Sequence, residues 1–98
     1  MLASSSKIYG NPLETPQKEE YNGNVDPIGI RSPYEEGKRF SEALAAIYCR
    51  KYEADIKIAR IFNTYGPKFS TEDQRVIPRF LLAALKNQDL IIYGENCP

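Results

Sequence analysis

The apolar spacing changes period between residues 34 and 62, and that change limits the fold more than any other feature of the sequence. Phe40, Ala43, Leu44, Ile47, Tyr48 and Lys51 recur at intervals of three and four, which predicts an amphipathic helix over 34–53. Ser32 or Pro33 sits near its start, and Glu35 and Glu36 in the first turn suit the positive end of a helix. Ile56, Ile58, Ala59, Ile61 and Phe62 follow almost at once and read as a mostly buried strand, ended by the turn residues Asn63, Thr64, Tyr65, Gly66 and Pro67. The opening MLASSSKIYG reads as the end of another strand.

A second helix is predicted over 75–86, with Val76, Ile77, Phe80, Leu81, Ala84 and Leu85 on its apolar side and Pro78 near enough to its first turn to be tolerated. Leu90, Ile91, Ile92 and Tyr93 read as a last strand, with a turn over 94–98. The order strand, long loop, helix, strand, loop, helix, strand is an α/β pattern with a parallel sheet. A parallel strand buried on both faces needs neighbours that 98 residues do not supply, so the chain reads as a piece of a larger domain.

Residues 11–33 hold four of the seven prolines, at 12, 16, 27 and 33, together with Gly23 and Gly29. A connection this long is commonly functional or disordered. Tyr21, Val25, Ile28 and Ile30 within it favour an ordered loop on the substrate side.

Thirteen Lys plus Arg balance thirteen Asp plus Glu, so no polybasic clamp for nucleic acid is expected. The sequence has no histidine, which excludes Ser–His–Asp hydrolysis and His-bearing zinc sites. Cys49 and Cys97 make neither a disulfide framework nor a metal set, and no metal is expected. No apolar run reaches membrane-spanning length, and the opening residues lack the basic region and apolar core of a secretory signal. A soluble, reducing, cytoplasmic setting is the expectation.

Tyr34 and Lys38 stand four residues apart on the predicted helix and so share a face. An ammonium near a phenol favours the phenolate, and a phenolate removes an alcohol proton. Ser4, Ser5 and Ser6 at the preceding strand end offer hydroxyls to hold that alcohol. Spacing alone also allows a packing tyrosine with a solvated lysine, surface or capping serines, Asn63 and Thr64 as turn caps, and Arg75 as a solvent-facing residue of a first helical turn. Tyr9 and Tyr65 read as packing groups, Glu35 and Glu36 as helix-start charges, and Cys49 as structural.

Three segments go further: SSSKIYG, YNGNVDPIGIRSPYEEGKR and IARIFNTYGP. Together they resemble the extended short-chain dehydrogenase/reductases that act on nucleotide sugars, over about residues 2–95. The Tyr-x-x-x-Lys element is common to that superfamily, whereas NVDPIGIRSPYEEGKR is most similar to its UDP-glucuronic acid decarboxylase (UDP-xylose synthase) branch. The resemblance implies an incomplete fragment of a Rossmann-like NAD-binding domain. Residues 1–98 would be the central part of a nucleotide-sugar epimerase/dehydratase-like domain, without its N-terminal Gly-rich cofactor loop and its C-terminal substrate-binding region.

It also implies roles. Tyr34 would be the catalytic base and touch the cofactor, and Lys38 would bind the nicotinamide ribose and help Tyr34 ionise. Ser5 would hold the sugar alcohol, with Ser6 beside it at the substrate. Asn63 would contact the sugar nucleotide, and Thr64 and Arg75 the NAD. A homodimer built through the helix 34–53 is similarly implied.

The expected activity is NAD-dependent decarboxylation of UDP-glucuronate to UDP-xylose through a 4-keto intermediate. Lys7 departs from this pattern: two positions after Ser5, decarboxylases and related dehydratases typically carry Glu, and dehydratases precede it with Asp. The Ser6–Lys7 pair argues against 4,6-dehydration. It leaves a nucleotide-sugar 4-epimerase, or an inactive fragment or structural remnant, as alternatives.

Overall fold

The computed structural model describes residues 1–92; Cys97, Tyr93 at the end of the expected last strand and the turn over 94–98 lie outside them. The chain divides into two compact units, Met1–Asn63 and Thr64–Pro98. In the first, β1 (Leu2–Ser5) runs into a 3-10 turn (Ser6–Tyr9), a long loop leads to α1 (Ser32–Tyr52), and β2 (Ile58–Ile61) returns beside β1. The two strands are parallel, in the register Leu2↔Ile58 to Ser5↔Ile61. This is a strand–helix–strand crossover, the unit that parallel pairing requires.

α1 starts two residues before its expected position. The Ser32 N–H donates to the Gly29 carbonyl, which carries the helical path back to Ser32, and Pro33 occupies an early position where its missing N–H costs nothing. The helix ends at Glu53, whose backbone is left-handed (φ 52°). β2 is shorter than the expected 56–62: the Ile56 N–H turns back to the Ala54 carbonyl, and the ladder begins at Ile58.

α1 does not pack on its apolar stripe. Its buried residue is Ala45, which shares a face with Tyr34, Lys38 and Glu42 by helical spacing, and α1 packs against β1 and the 3-10 turn. Phe40, Leu44, Ile47 and Tyr48 remain exposed on roughly the opposite side. The core of this unit is small, with Ile8, Tyr9 and Ala45 buried together with the hydroxyl residues Ser4 and Ser5.

The loop between the 3-10 turn and α1 is ordered by main-chain pairing. Gly10 bridges Asn24, the Asn11 N–H donates to the Asn24 carbonyl at 2.9 Å, and the Asn24 N–H donates to the Tyr9 carbonyl at 2.8 Å. This close approach depends on Gly10 (φ 64°) and Gly23 (φ 88°): a Cβ on Gly10 would sit 2.2 Å from the Asn24 carbonyl oxygen, and one on Gly23 would sit 2.8 Å from the Tyr9 Cα. Tyr21 stacks on Tyr9 at 5.9 Å between ring centroids, whereas Ile28 and Ile30 are exposed.

The second unit holds α2 (Val76–Leu85), with Pro78 buried in its first turn. Leu90, Ile91 and Ile92 form no strand. No strand pairs with them among the described residues, and a lone segment without a partner has no ladder to join. Among the described residues no helix is long and apolar enough to cross a membrane.

Candidate active site

The inward face of α1 lies over β1. Lys38 donates from Nζ to the Ala3 carbonyl at 3.0 Å, and its ammonium lies 5.9 Å from the centroid of the Tyr34 ring. Tyr34 itself is about half exposed, so its phenol faces solvent at the helix start. Lys7, Ile30, Arg31, Pro33, Tyr34 and Glu35 line an open cleft of about 390 Å³. Both the expected base and the lysine that departs from the family pattern therefore belong to one cleft.

Ser5 ends β1, is 9% exposed, and accepts the Lys7 N–H on its Oγ at 3.2 Å, which caps the 3-10 turn. The same hydroxyl retains its own proton as a donor. Ser6, the first residue of that turn, is partly exposed. The middle serine of the sequence run is used differently: Ser4 is buried and donates to a carboxylate oxygen of Glu42.

Glu42 leads into a polar network that the sequence reading missed. Arg60 on β2 donates to the Glu42 carboxylate from Nε at 3.1 Å and from Nη2 at 2.8 Å. Its Nη1 donates to the Tyr9 hydroxyl and to the Glu19 carbonyl, each at 2.8 Å, and the Tyr9 hydroxyl donates onward to the Lys18 carbonyl at 3.1 Å. Arg39 adds bonds to the Ile8 and Asn22 carbonyls at 2.7 and 2.8 Å. Burial pushes the Glu42 carboxyl up, but the hydrogen bonds from Arg60 and Ser4 and the charges of Arg60 and Arg39 outweigh it and hold the group below its ordinary value. The Glu42 hydrogen bond in turn raises Arg60, against a smaller opposing effect of burial. An arginine inside an otherwise apolar strand run was the available signal, since a charge there needs a partner.

Asn63 follows β2 at the end of the first unit and is exposed. Thr64 and Arg75 belong to the second unit, where Thr64 is exposed and Arg75 precedes α2 with its guanidinium paired to Asp73. That pairing holds Asp73 below its ordinary value and raises Arg75. Cys49 is a free thiol, partly exposed. Among the described residues no cluster of three or more Cys, Asp or Glu side chains could hold a metal ion.

The sequence model of the NAD dependent epimerase/dehydratase family matches residues 1–97. The chain belongs to this family. Membership accounts for the alternation of strand and helix, which is that of a Rossmann-like domain in part. Within the epimerase/dehydratase family the chain closely resembles UDP-glucuronic acid decarboxylases. It is 50% identical over 96 residues to UDP-glucuronic acid decarboxylase 4 of Arabidopsis thaliana, covering 98% of this chain and 22% of that protein. Against decarboxylase 6 of the same plant the identity is 50% over 92 residues, 94% of this chain and 27% of the relative. Against decarboxylase 1 of Xenopus tropicalis it is 46% over 96 residues, 98% of this chain and 23% of the relative. The chain thus spans about a quarter of the length of the curated relatives it matches.

Proposed function

We propose that residues 1–98 are the central part of an NAD-dependent nucleotide-sugar decarboxylase that converts UDP-glucuronate to UDP-xylose. The observation that supports this most is the Tyr34–Lys38 face of α1, laid over β1 and opening on a cleft, in a chain half identical to decarboxylases. The donors on this face suit a ribose diol and a sugar hydroxyl: a half-exposed phenol and, one turn on, an ammonium with protons beyond the one given to Ala3.

Tyr34 and Lys38 would hold the nicotinamide end of the cofactor. The bound dinucleotide supplies reversible acceptance of hydride at C4 of the sugar. Tyr34 takes the proton of the C4 hydroxyl as that hydride leaves, and Ser5, with Ser6 beside it, holds the hydroxyl in line. The C4 ketone so formed is beta to the C6 carboxylate. The C5–C6 bond breaks, carbon dioxide departs, and its bonding pair enters the ketone as an enolate. A proton taken from solvent at C5 would restore the ketone, and Tyr34 would give its proton back to the C4 oxygen as the ketone is reduced, which leaves UDP-xylose. Asn63 would contact the sugar nucleotide.

Lys7 favours a second reading. It stands in the Tyr34 cleft, at the position where the resemblance leads one to expect a Glu, and a 4-epimerase needs only the hydroxyl residue and the Tyr–Lys pair. Mass analysis of products decides between the two. The full-length protein carrying this segment, given NAD and either UDP-glucuronate or UDP-glucose, is expected to release carbon dioxide from the first. Inversion at C4 without a mass change establishes the epimerase instead, and conversion of neither sugar favours a different sugar nucleotide or an inactive remnant.

A further inference from the structure

The proposed reaction needs the Ser5 hydroxyl and the Tyr34 phenol at a fixed separation, and among the described residues the side chains of α1 that tie the helix to β1 are polar. The buried residue of α1 is the small Ala45, and the larger apolar side chains of the helix are exposed. The bonds from this helix face to β1 are polar: Lys38 to the Ala3 carbonyl, and Glu42 from the Ser4 hydroxyl. Both land on residues that immediately precede Ser5 in the chain.

Arg60 fixes the Glu42 end of this face. Its side chain is 25% exposed and that of Glu42 is 12% exposed, and two of its nitrogens grip the carboxylate from β2. A planar fork sets direction as well as distance, which an ammonium does not. The third nitrogen reaches Tyr9 and Glu19, at the foot of the loop whose far end delivers Tyr34. One guanidinium therefore joins β2, α1, the 3-10 turn and the loop, and Glu42 joins it to Ser4.

We propose that Arg60 is a positioning residue for the reaction, acting through Glu42 on the helix face that carries Tyr34 and Lys38 and through Tyr9 and Glu19 on the loop that leads into it. This inference rests on the decarboxylase reading above. A residue that only stabilised the fold would change how much protein is folded. A positioning residue changes the rate of each folded molecule.

The test compares the full-length protein carrying this segment with its Arg60→Lys variant and with an Arg60→Met/Glu42→Met double variant. The double variant guards against misfolding, because replacing both partners of a buried pair by apolar side chains often preserves stability. Both are expected to lose on the order of 10- to 100-fold in kcat per folded molecule, with KM for UDP-glucuronate within about threefold of wild type. In Arg60→Lys, amide exchange at Asn24, whose N–H bonds the Tyr9 carbonyl, is expected to quicken on the order of tenfold. An unchanged kcat per folded molecule, or a loss confined to KM, overturns the proposal while leaving the decarboxylase reading intact. Unchanged exchange at Asn24 overturns its loop half. A wild type that turns over neither UDP-glucuronate nor UDP-glucose overturns the decarboxylase reading and this one with it.

Discussion

Lys38 holds the Ala3 carbonyl at 3.0 Å while its ammonium stays 5.9 Å from the centre of the Tyr34 ring. One side chain thus docks α1 on β1 and charges the space beside the proposed base. Removing either residue should therefore have different consequences. Tyr34→Phe keeps the ring and should lower turnover by at least about 100-fold with little change in melting temperature. Lys38→Met should lower turnover and also destabilise the fold by about 1–2 kcal/mol through the lost bond to Ala3. Steady-state kinetics with thermal melts check both, and normal turnover in Tyr34→Phe would remove it as the base.

Lys7 shares the cleft with Tyr34. Lys7→Glu restores the charge that the resemblance leads one to expect near the reacting sugar, and is expected to raise decarboxylation of UDP-glucuronate by about tenfold. Carbon dioxide release measures it. A fall in rate would show that the lysine has a productive role, such as countering the substrate carboxylate.

Glu42 titrates low in the folded protein. Its ion pair contributes stability in full above the ordinary carboxylate value of 4.5, and that contribution is lost as pH falls through the lower folded value. Wild type should therefore lose melting temperature more steeply than Glu42→Gln as pH drops below 4.5, the two curves converging at the acid end. Parallel curves would mean that the pair with Arg60 contributes little.

Gly23→Ala is expected to destabilise the first unit by about 1–3 kcal/mol, because the added methyl meets the Tyr9 backbone and the residue keeps a positive φ. Trypsin cleavage after Lys18 should quicken, since the Lys18 carbonyl is held by Tyr9 in the intact loop. Cleavage at the wild-type rate would show that the close approach of Gly23 to Tyr9 is dispensable.

The resemblance implies a homodimer built through this helix, on which Phe40, Leu44, Ile47 and Tyr48 are exposed in this chain. Light scattering of the full-length protein should give a dimer, and Ile47→Glu should shift it toward monomer. A wild-type monomer at working concentration rules the dimer out.

Much of the first unit was legible in the sequence. The period change at Tyr34 located α1 to within two residues, because a helix of that length leaves a clear apolar repeat. The same repeat pointed away from the working face: Lys38 and Glu42 reach inward, where β1 offers a carbonyl and a hydroxyl, Tyr34 stands half exposed at the start of that face, and hydrogen-bonding groups leave no hydrophobic signature. Arg60 was passed over for a related reason, since its partners Glu42, Tyr9 and Glu19 are 18, 51 and 41 residues away in sequence. Leu90 to Ile92 carry strand composition without a strand, because composition supplies side chains and a ladder supplies the conformation.

The straps on the long loop have a consequence for how this region tolerates change. Arg39 takes the carbonyls of Ile8 and Asn22, Arg60 takes that of Glu19, and Tyr9 takes that of Lys18. Every one of these acceptors is main chain, and every amino acid, proline included, carries a carbonyl. At 18, 19 and 22 the loop is thus held by two arginines and a tyrosine that lie outside it, and the letters at those three positions are free to drift, while Gly23 and Asn24 are not. Such a segment can exchange its outward side chains without losing its course, as a handrail keeps its line whatever colour it is painted.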